Sequence, residues 1–405
     1  MMGAAGGFGG QSLSPSSHPS SRNPRVKPGE GEGVSCAIGV ISGTSMDGID
    51  VALIASDGEA LIETGPAATF PYPERVAQRM RAVVLSPGEA EAPQAELERL
   101  VTDAHVAAVE AFLERFSVSR ESVALIGLHG QTILHRPRAR LTRQLCDGAR
   151  AAAALKIDVV SDFRSADVAA GGEGAPLAPV YHAAMAANLA RPLMILNWGG
   201  VGNVTYLGAE GEIIAFDTGP ANALIDDFLL GRRGQAFDED GALAQSGRVD
   251  AQALAFLMRD PYFDRPAPKS LDRNHFGQLA ACVERLSDAD GAATLSAFTV
   301  EATAAALKHV PQAPARWLVG GGGRRNSNLM RRLAERLQVK VEPVEAIGFD
   351  GDSIEAQCFA YLALRSRRGM PLSFPTTTGV PAPMTGGAFW PAPKMERAPL
   401  VRGPR

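Results

Sequence analysis

GVISGTSMDGIDVAL, residues 39–53, is an apolar run, a polar turn carrying two glycines, and a second apolar run. The same plan returns as LNWGGVGNVTYL at residues 196–207. A short apolar strand on either side of a Gly-containing turn predicts a β-hairpin in each place. Glycine lets a ligand come close to the main chain, whose N–H groups then donate to anionic oxygens. Either hairpin alone is an ordinary turn. One in each half of the chain predicts two lobes that grip a triphosphate from both sides of a cleft. A third cluster, Gly320 to Gly323, precedes the helical run RRNSNLMRRLAERL at residues 324–337. Free N–H groups and the dipole at such a helix start favour negative charge, which strengthens the nucleotide reading.

Outward from these hairpins the chain divides into two units, 34–190 and 191–391, between tails 1–33 and 392–405. In the first unit, residues 73–116 have helical spacing and are rich in Ala and Glu. SVALIGLHG (122–130) predicts a strand that ends in a polar loop bearing His129 and His135. DGARAAAAL (147–155) predicts a helix, and IDVVSDF (157–163) a strand running into a Gly-rich loop. In the second unit, PLMILNWGG, VGNVTYLG and EIIAFDTGP (residues 192–220) predict three strands, and ANALIDDFLL opens a helix. ARWLVGGGG (315–323) is a further strand. DSIEAQCFAYLALRSRRG (352–369) is the final helix, with Asp352 or Ser353 as N-cap, followed by a Pro-rich stretch.

Composition sets the outer limits. A chain of 405 residues suits two lobes better than one small domain. A net charge of −4 gives no electrostatic reason to expect nucleic acid or an acidic membrane as partner. Cys36, Cys146, Cys282 and Cys358 are far apart and form no CxxC pair, which fits a reducing cytoplasm rather than a disulfide framework. The most apolar stretch, 183–198, is interrupted by Asn188, Arg191 and Pro192, which argues against a membrane span. Residues 1–33 hold Gly, Ser and Pro without an apolar core. They predict a disordered tail or a start codon set too early. The chain has no GxxxxGK[ST] loop, no GxSxG elbow and no HExxH pair.

Six motifs then occur in order: SGTSMDGID (42–50), GLHGQTILH (127–135), DVVSDFRSADVAAGGEGAPLAP (158–179), NWGGVGNVT (197–205), FDTGPANALID (216–226) and VGGGGRRNSNLM (319–330). Together they resemble the anhydro-N-acetylmuramic acid kinases, from about Ile38 to Pro391. The resemblance implies an α/β, two-lobed actin-like (ribonuclease H-like) ATPase fold with the active site in the interdomain cleft. It implies ATP and Mg²⁺, a small amino-sugar substrate and a homodimer. The reaction it implies opens 1,6-anhydro-N-acetylmuramic acid with water and phosphorylates O6, in cell-wall recycling.

Carried over by position, Gly43, Thr44, Ser45, Met46, Asp47, Gly48, Ile49 and Asp50 form the ATP phosphate loop. Gly199, Gly200 and Asn203 face it from the second hairpin, and Gly321 and Gly322 lie on the adenosine side. Asp217 matches the general base and Glu355 an acid that helps hold the sugar. Asp47 either reaches Mg²⁺ or serves as a turn residue before Gly48. His129, Arg164 and Lys269 are the candidates for binding substrate, against the plainer readings of a satisfied loop histidine and a structural ion pair. Asp217 has its own plain reading as a helix N-cap, and Asp167 and Glu173 as solvated carboxylates. The chain departs from the family pattern at PKSLDRNHFG (268–277), where Leu271-Asp272 replaces Thr-Gly and Asn274 replaces Glu, and at Ala221 and Trp198. Another sugar or carboxylate kinase of the same fold, or an ATP-binding regulator without turnover, is the rival reading.

Overall fold

The computed structural model describes residues 33–393 apart from Thr44, Ser45, Asp47 and Asn274. The expectations placed on those four residues and on most of both tails lie outside the described residues.

The strands sort into two sheets. In the first, β1 (Ser35–Ser42), β2 (Ile49–Ser56) and β3 (Ile62–Phe70) make an antiparallel meander. On the other side of β1, β4 (Leu125–Arg136) pairs in parallel; β5 (Leu141–Leu145) turns back along its far end, and β6 (Val159–Ser161) continues the sheet in parallel. The second sheet repeats this plan. There β7 (Leu193–Trp198), β8 (Val201–Leu207) and β9 (Ile213–Pro220) form the meander, and β10 (Arg316–Gly320) and β11 (Lys340–Pro343) add in parallel beyond β7. Both sheets therefore share the order third, second, first, then parallel strands. The repeat in sequence is a repeat of topology.

Helices cover the first sheet as α1 (Glu74–Leu85), α2 (Pro87–Glu91), α3 (Ala95–Phe116) and α4 (Gly148–Leu155), with short α5 (Ser165–Ala169) and α6 (Pro179–Met185) leading to the second lobe. The second lobe carries α7 (Asn222–Arg233), α8 (Ala242–Ser246), α9 (Ala251–Leu257), α10 (Asp288–Ala304) and α11 (Ser327–Leu337). Side-chain caps start several of them: Asp147, Asp250, Ser287 and Asn326 each accept an N–H from the first turn of the helix that follows. Among the described residues no helix is long and apolar enough to cross a membrane.

The chain then returns. Helix α12 (Ile354–Arg367) lies on β1, β2 and β4, and β12 (Ala388–Trp390) extends the first sheet antiparallel to β6. The boundary near Arg191 thus separates the two sets of strands, while the C-terminal segment belongs with the first sheet. One apolar core joins Ala37, Ile54 and much of α12 to Leu193, Ile195 and Leu318 of the second sheet and to Val344 in the 3₁₀ turn after β11. Helix α12 sits so close because β1 and β4 present glycine to it. A Cβ on Gly39 would lie 1.8 Å from the Ala356 carbonyl oxygen, and one on Gly127 2.0 Å from that of Phe359.

Three local expectations are corrected, and one strand lies outside them. Gly65 and Pro66 interrupt the alternation of β3, which is an edge strand, where proline costs no ladder bond toward the solvent side. No polar loop follows SVALIGLHG, for β4 runs on to Arg136 and contains both His129 and His135. Gly320 to Gly323 does not open a helix directly but a 3₁₀ turn (Gly322–Arg325), after which Asn326 caps α11. Ser353 stands before α12 with helical backbone angles and caps nothing; its hydroxyl donates to the Asp350 carbonyl.

Candidate active site

Asp217 lies within β9, five residues before α7, so it is no N-cap. Its main chain and side chain are clasped by one segment. The Asp217 N–H donates to the Lys269 carbonyl at 2.9 Å, and Oδ2 accepts the Leu271 N–H at 2.8 Å. Its carbonyl accepts the Tyr262 hydroxyl at 2.6 Å. Because the contact from Leu271 is a main-chain N–H, the replacement at that position leaves the clasp intact. Burial pushes the Asp217 carboxyl up to about 7; the Leu271 N–H opposes this, and the charge of Glu173 adds to it. A half-buried carboxylate that titrates near neutrality suits proton abstraction.

Glu355, in the first turn of α12, is open to solvent yet ringed by protein, as befits the floor of a cleft. Burial raises its pKa, the Asp50 charge pushes the same way, and Arg164 opposes. Arg164 is itself held: Nε donates to His129 Nε2 at 2.9 Å and Nη1 to the Gly174 carbonyl at 2.8 Å. That bond fixes the His129 tautomer, with Nδ1 donating to the Gly130 carbonyl at 3.0 Å. Burial, reinforced by Arg164, keeps the ring neutral, and it packs on Phe359. His129 is 4 % exposed with both nitrogens engaged, so it orients Arg164 instead of meeting a ligand.

Lys269 is likewise turned inward. Its Nζ donates to the Tyr262 carbonyl at 3.0 Å, stands 3.1 Å from His309 Nε2 and lies over the Tyr262 ring. Burial pushes its pKa down to about 8, with Arg265 adding to the shift. It braces the turn that carries Tyr262, and through it Asp217. Lys269→Met should therefore lower stability by on the order of 1–3 kcal/mol, the worth of hydrogen bonds from a charged donor, since the Tyr262 carbonyl keeps the Arg265 N–H and the Phe263 carbonyl keeps His309 Nε2. The KM for sugar should change less than about threefold, where loss of a substrate contact would raise it far more. Thermal unfolding and initial rates check both.

In the first hairpin, the Gly43 carbonyl accepts the Met46 N–H at 3.2 Å across the β1–β2 turn, whose Thr44, Ser45 and Asp47 are not described. Met46 is buried, Gly48 lies against Thr69, Ile49 is buried, and Asp50 accepts the Thr69 hydroxyl at 2.6 Å. In the second hairpin the carbonyls of Gly199 and Gly200 accept N–H groups of Asn222 and Ala221. A trans peptide then turns the Gly200 N–H away from α7. A Cβ on Gly199 or Gly200 would meet nothing nearer than 3.6 Å, and one on Gly322 nothing nearer than 3.7 Å. A side chain at any of the three would make ordinary contacts and no clash, so packing within the protein does not by itself demand glycine there. Asn203 pairs with Asp217 across β8 and β9, which brings the hairpin to the candidate base. Gly321 packs against Trp198, and Asn222 Nδ2 donates to the Trp198 carbonyl at 2.9 Å.

Three residues beyond the expected set shape the site. Buried Arg324 bonds Glu345, Asp352 and the Gly321 carbonyl, tying the Gly321 turn to the segment that leads into α12. Asp167 is not solvated: it is 2 % exposed and accepts from the Gly174 N–H, Ser373 and Thr378. Glu173 is half-buried, and its Oε2 accepts the Ser270 hydroxyl at 2.9 Å. A charged residue in a Gly loop reads as solvated from sequence, and no local signal marks a partner about a hundred positions away.

A duplicated sheet, a glycine turn in each lobe and a near-neutral carboxylate in β9 beside the second of them fit a two-lobed, actin-like ATPase fold equipped as a kinase. The family model described as anhydro-N-acetylmuramic acid kinase matches residues 35–392. An anhydro-N-acetylmuramic acid kinase of Rhodospirillum rubrum is 54 % identical over 366 residues, covering 90 % of this chain and 96 % of the relative. That of Acidiphilium cryptum is 52 % identical, covering 87 % and 97 %. Among solved structures, component A of the Acidaminococcus fermentans (R)-2-hydroxyglutaryl-CoA dehydratase aligns at 11 % identity and a TM-score of 0.45, over 82 % of this chain and 99 % of that one, a likeness too loose to bear on the site. The chain belongs to the anhydro-N-acetylmuramic acid kinase family.

Proposed function

We propose that the protein uses ATP and water to convert 1,6-anhydro-N-acetylmuramic acid into N-acetylmuramic acid 6-phosphate and ADP, in cell-wall recycling. The observation that carries this reading is the clasped, near-neutral Asp217 carboxylate beside the second glycine turn. Opening an intramolecular acetal ordinarily takes two carboxyl groups, one to activate water and one to protonate the departing oxygen. Here Asp217 takes the proton of the water that attacks C1. The departing O6 acquires the γ-phosphoryl group instead of a proton, so one carboxylate suffices. Attack opposite O6 gives the α-configured product. Glu355 and Arg164 hold the sugar from the α12 side, and the glycines of both hairpins hold the triphosphate.

Mg²⁺ arrives with ATP and offsets charge on the β- and γ-phosphates. Its assignment to Asp47 falls outside the described residues. The same reading places the reaction in the cytoplasm, where ATP is available, and gives the protein a second copy of itself as partner.

The test is turnover of the anhydro sugar with MgATP in ¹⁸O-labelled water. One product carrying label at C1 and phosphate at O6 is expected. Phosphate transfer without label, or equal turnover of a sugar lacking the anhydro bond, would leave an ordinary sugar kinase in its place.

A further inference from the structure

Glu173 lies in the Gly-rich loop between α5 and α6, and this loop is rigidly moored. Its N–H donates to the Thr378 carbonyl at 2.7 Å, while the Thr378 hydroxyl donates to buried Asp167 at 2.6 Å. The same C-terminal strap is bonded to β9, where the Ala215 N–H donates to the Thr376 carbonyl at 3.0 Å. Glu173 therefore has a fixed position relative to the strand that bears Asp217. From there its Oε2 accepts the hydroxyl of Ser270. Ser270 is the residue between Lys269 and Leu271, the two whose main chains clasp Asp217.

We propose that Glu173 is a positioning residue for Asp217: by accepting the Ser270 hydroxyl it seats the segment that holds the base, and it sets its own negative charge against that base. The inference rests on the reading of Asp217 as the base. Two consequences follow from one carboxylate. The hydrogen bond holds the 268–271 segment, and with it the direction of the Asp217 Oδ2 lone pairs. The charge keeps the Asp217 proton on to higher pH than burial alone would. Other ionisable groups around Asp217 do not substitute for it. Tyr262 donates to the Asp217 carbonyl, Lys269 is engaged with the Tyr262 carbonyl and His309, and neither Glu355 nor Arg164 acts on the Asp217 carboxyl.

The experiment measures kcat, and kcat/KM for the anhydro sugar, across the neutral pH range with the full-length protein and MgATP. Glu173→Gln keeps an acceptor for Ser270 and drops the charge, so the acid limb of kcat/KM moves to lower pH by about half a unit. Glu173→Ala moves the limb the same way and also lowers kcat about tenfold, with the KM for ATP held within about twofold. Ser270→Ala lowers kcat and leaves the limb where it is in the unsubstituted protein. An unmoved limb in Glu173→Gln, or undiminished kcat in both alanine variants, overturns the proposal. Asp217→Asn run beside them separates the two readings. Turnover in that variant removes the base assignment itself, whereas a dead Asp217→Asn with unaltered Glu173 variants removes only the role of Glu173.

Discussion

Asp217→Asn should cut kcat by about a thousandfold, within the range a positioned general base supplies, while ATP affinity stays the same. The substitution is nearly isosteric, and the Asn side-chain oxygen can accept the Leu271 N–H as Oδ2 does now. What is lost is the capacity to take a proton. Stability supplies a second, independent sign. The Asp217 pKa stands at about 7 in the folded chain against 3.8 for a free carboxyl, so the folded state holds this proton more tightly than the unfolded state. Below the lower value both states are protonated and the carboxyl costs nothing. As pH rises through the interval the unfolded chain ionises first, and folding bears a growing cost. Asn carries no such cost. The variant should thus unfold at a higher temperature than the unsubstituted protein at pH 8 and at the same temperature near a pH of about 3, as measured by calorimetry. A dead enzyme that is more stable at alkaline pH marks a residue kept for chemistry. A dead enzyme that is less stable there would mark a structural aspartate.

The same titration shapes the rate of the unsubstituted protein. kcat/KM for the sugar should rise through a pH of about 7 as Asp217 ionises. The Glu173 variants read the identical limb, so one set of profiles tests the base and its positioning residue together.

How much of this was legible in the sequence depended on the range of the interaction. The two glycine hairpins were legible because strand, turn and returning strand are local, and their recurrence predicted two lobes. Asp217 was legible as a candidate through motif order, and its clasp survives the changed residues at 271 and 272 because a main-chain N–H makes it. Other features depend on segments far apart in the chain. Arg164 and His129 were both named, but which of them faces the cleft is decided by a hydrogen bond between β4 and the loop before α5. Lys269 matched a motif, yet its ammonium turns toward carbonyls of the preceding turn. Asp167 and Glu173 looked solvated because their partners, in the 373–378 strap and the 268–271 segment, come from over a hundred residues downstream or nearly so. Edge strand β3 escaped notice for a different reason. Gly65 and Pro66 break the alternation that marks a strand, and only its place at the sheet's margin makes them tolerable.

Gly39→Ala should destabilise the protein by about 3 kcal/mol or more, although it adds one methyl group. The new Cβ would lie 1.8 Å from the Ala356 carbonyl oxygen and 2.6 Å from the Ala360 nitrogen, both main-chain atoms of α12. No side-chain rotamer can relieve a clash between two backbones, so the helix itself has to move off β1. Helix α12 carries Glu355 in its first turn and joins the core shared by both lobes, so the displacement is felt at once in folding and in the cleft. Gly231→Ala is the matched control. It makes the same chemical change at an exposed position of helix α7, where an added Cβ meets nothing within 4 Å. Alanine is the better helix former there and should stabilise by about 0.5–1 kcal/mol. Denaturant unfolding of the two variants should move in opposite directions. If Gly39→Ala unfolds with Gly231→Ala, α12 does not rest on the backbone of β1, and the placement of Glu355 on the cleft floor loses its physical basis.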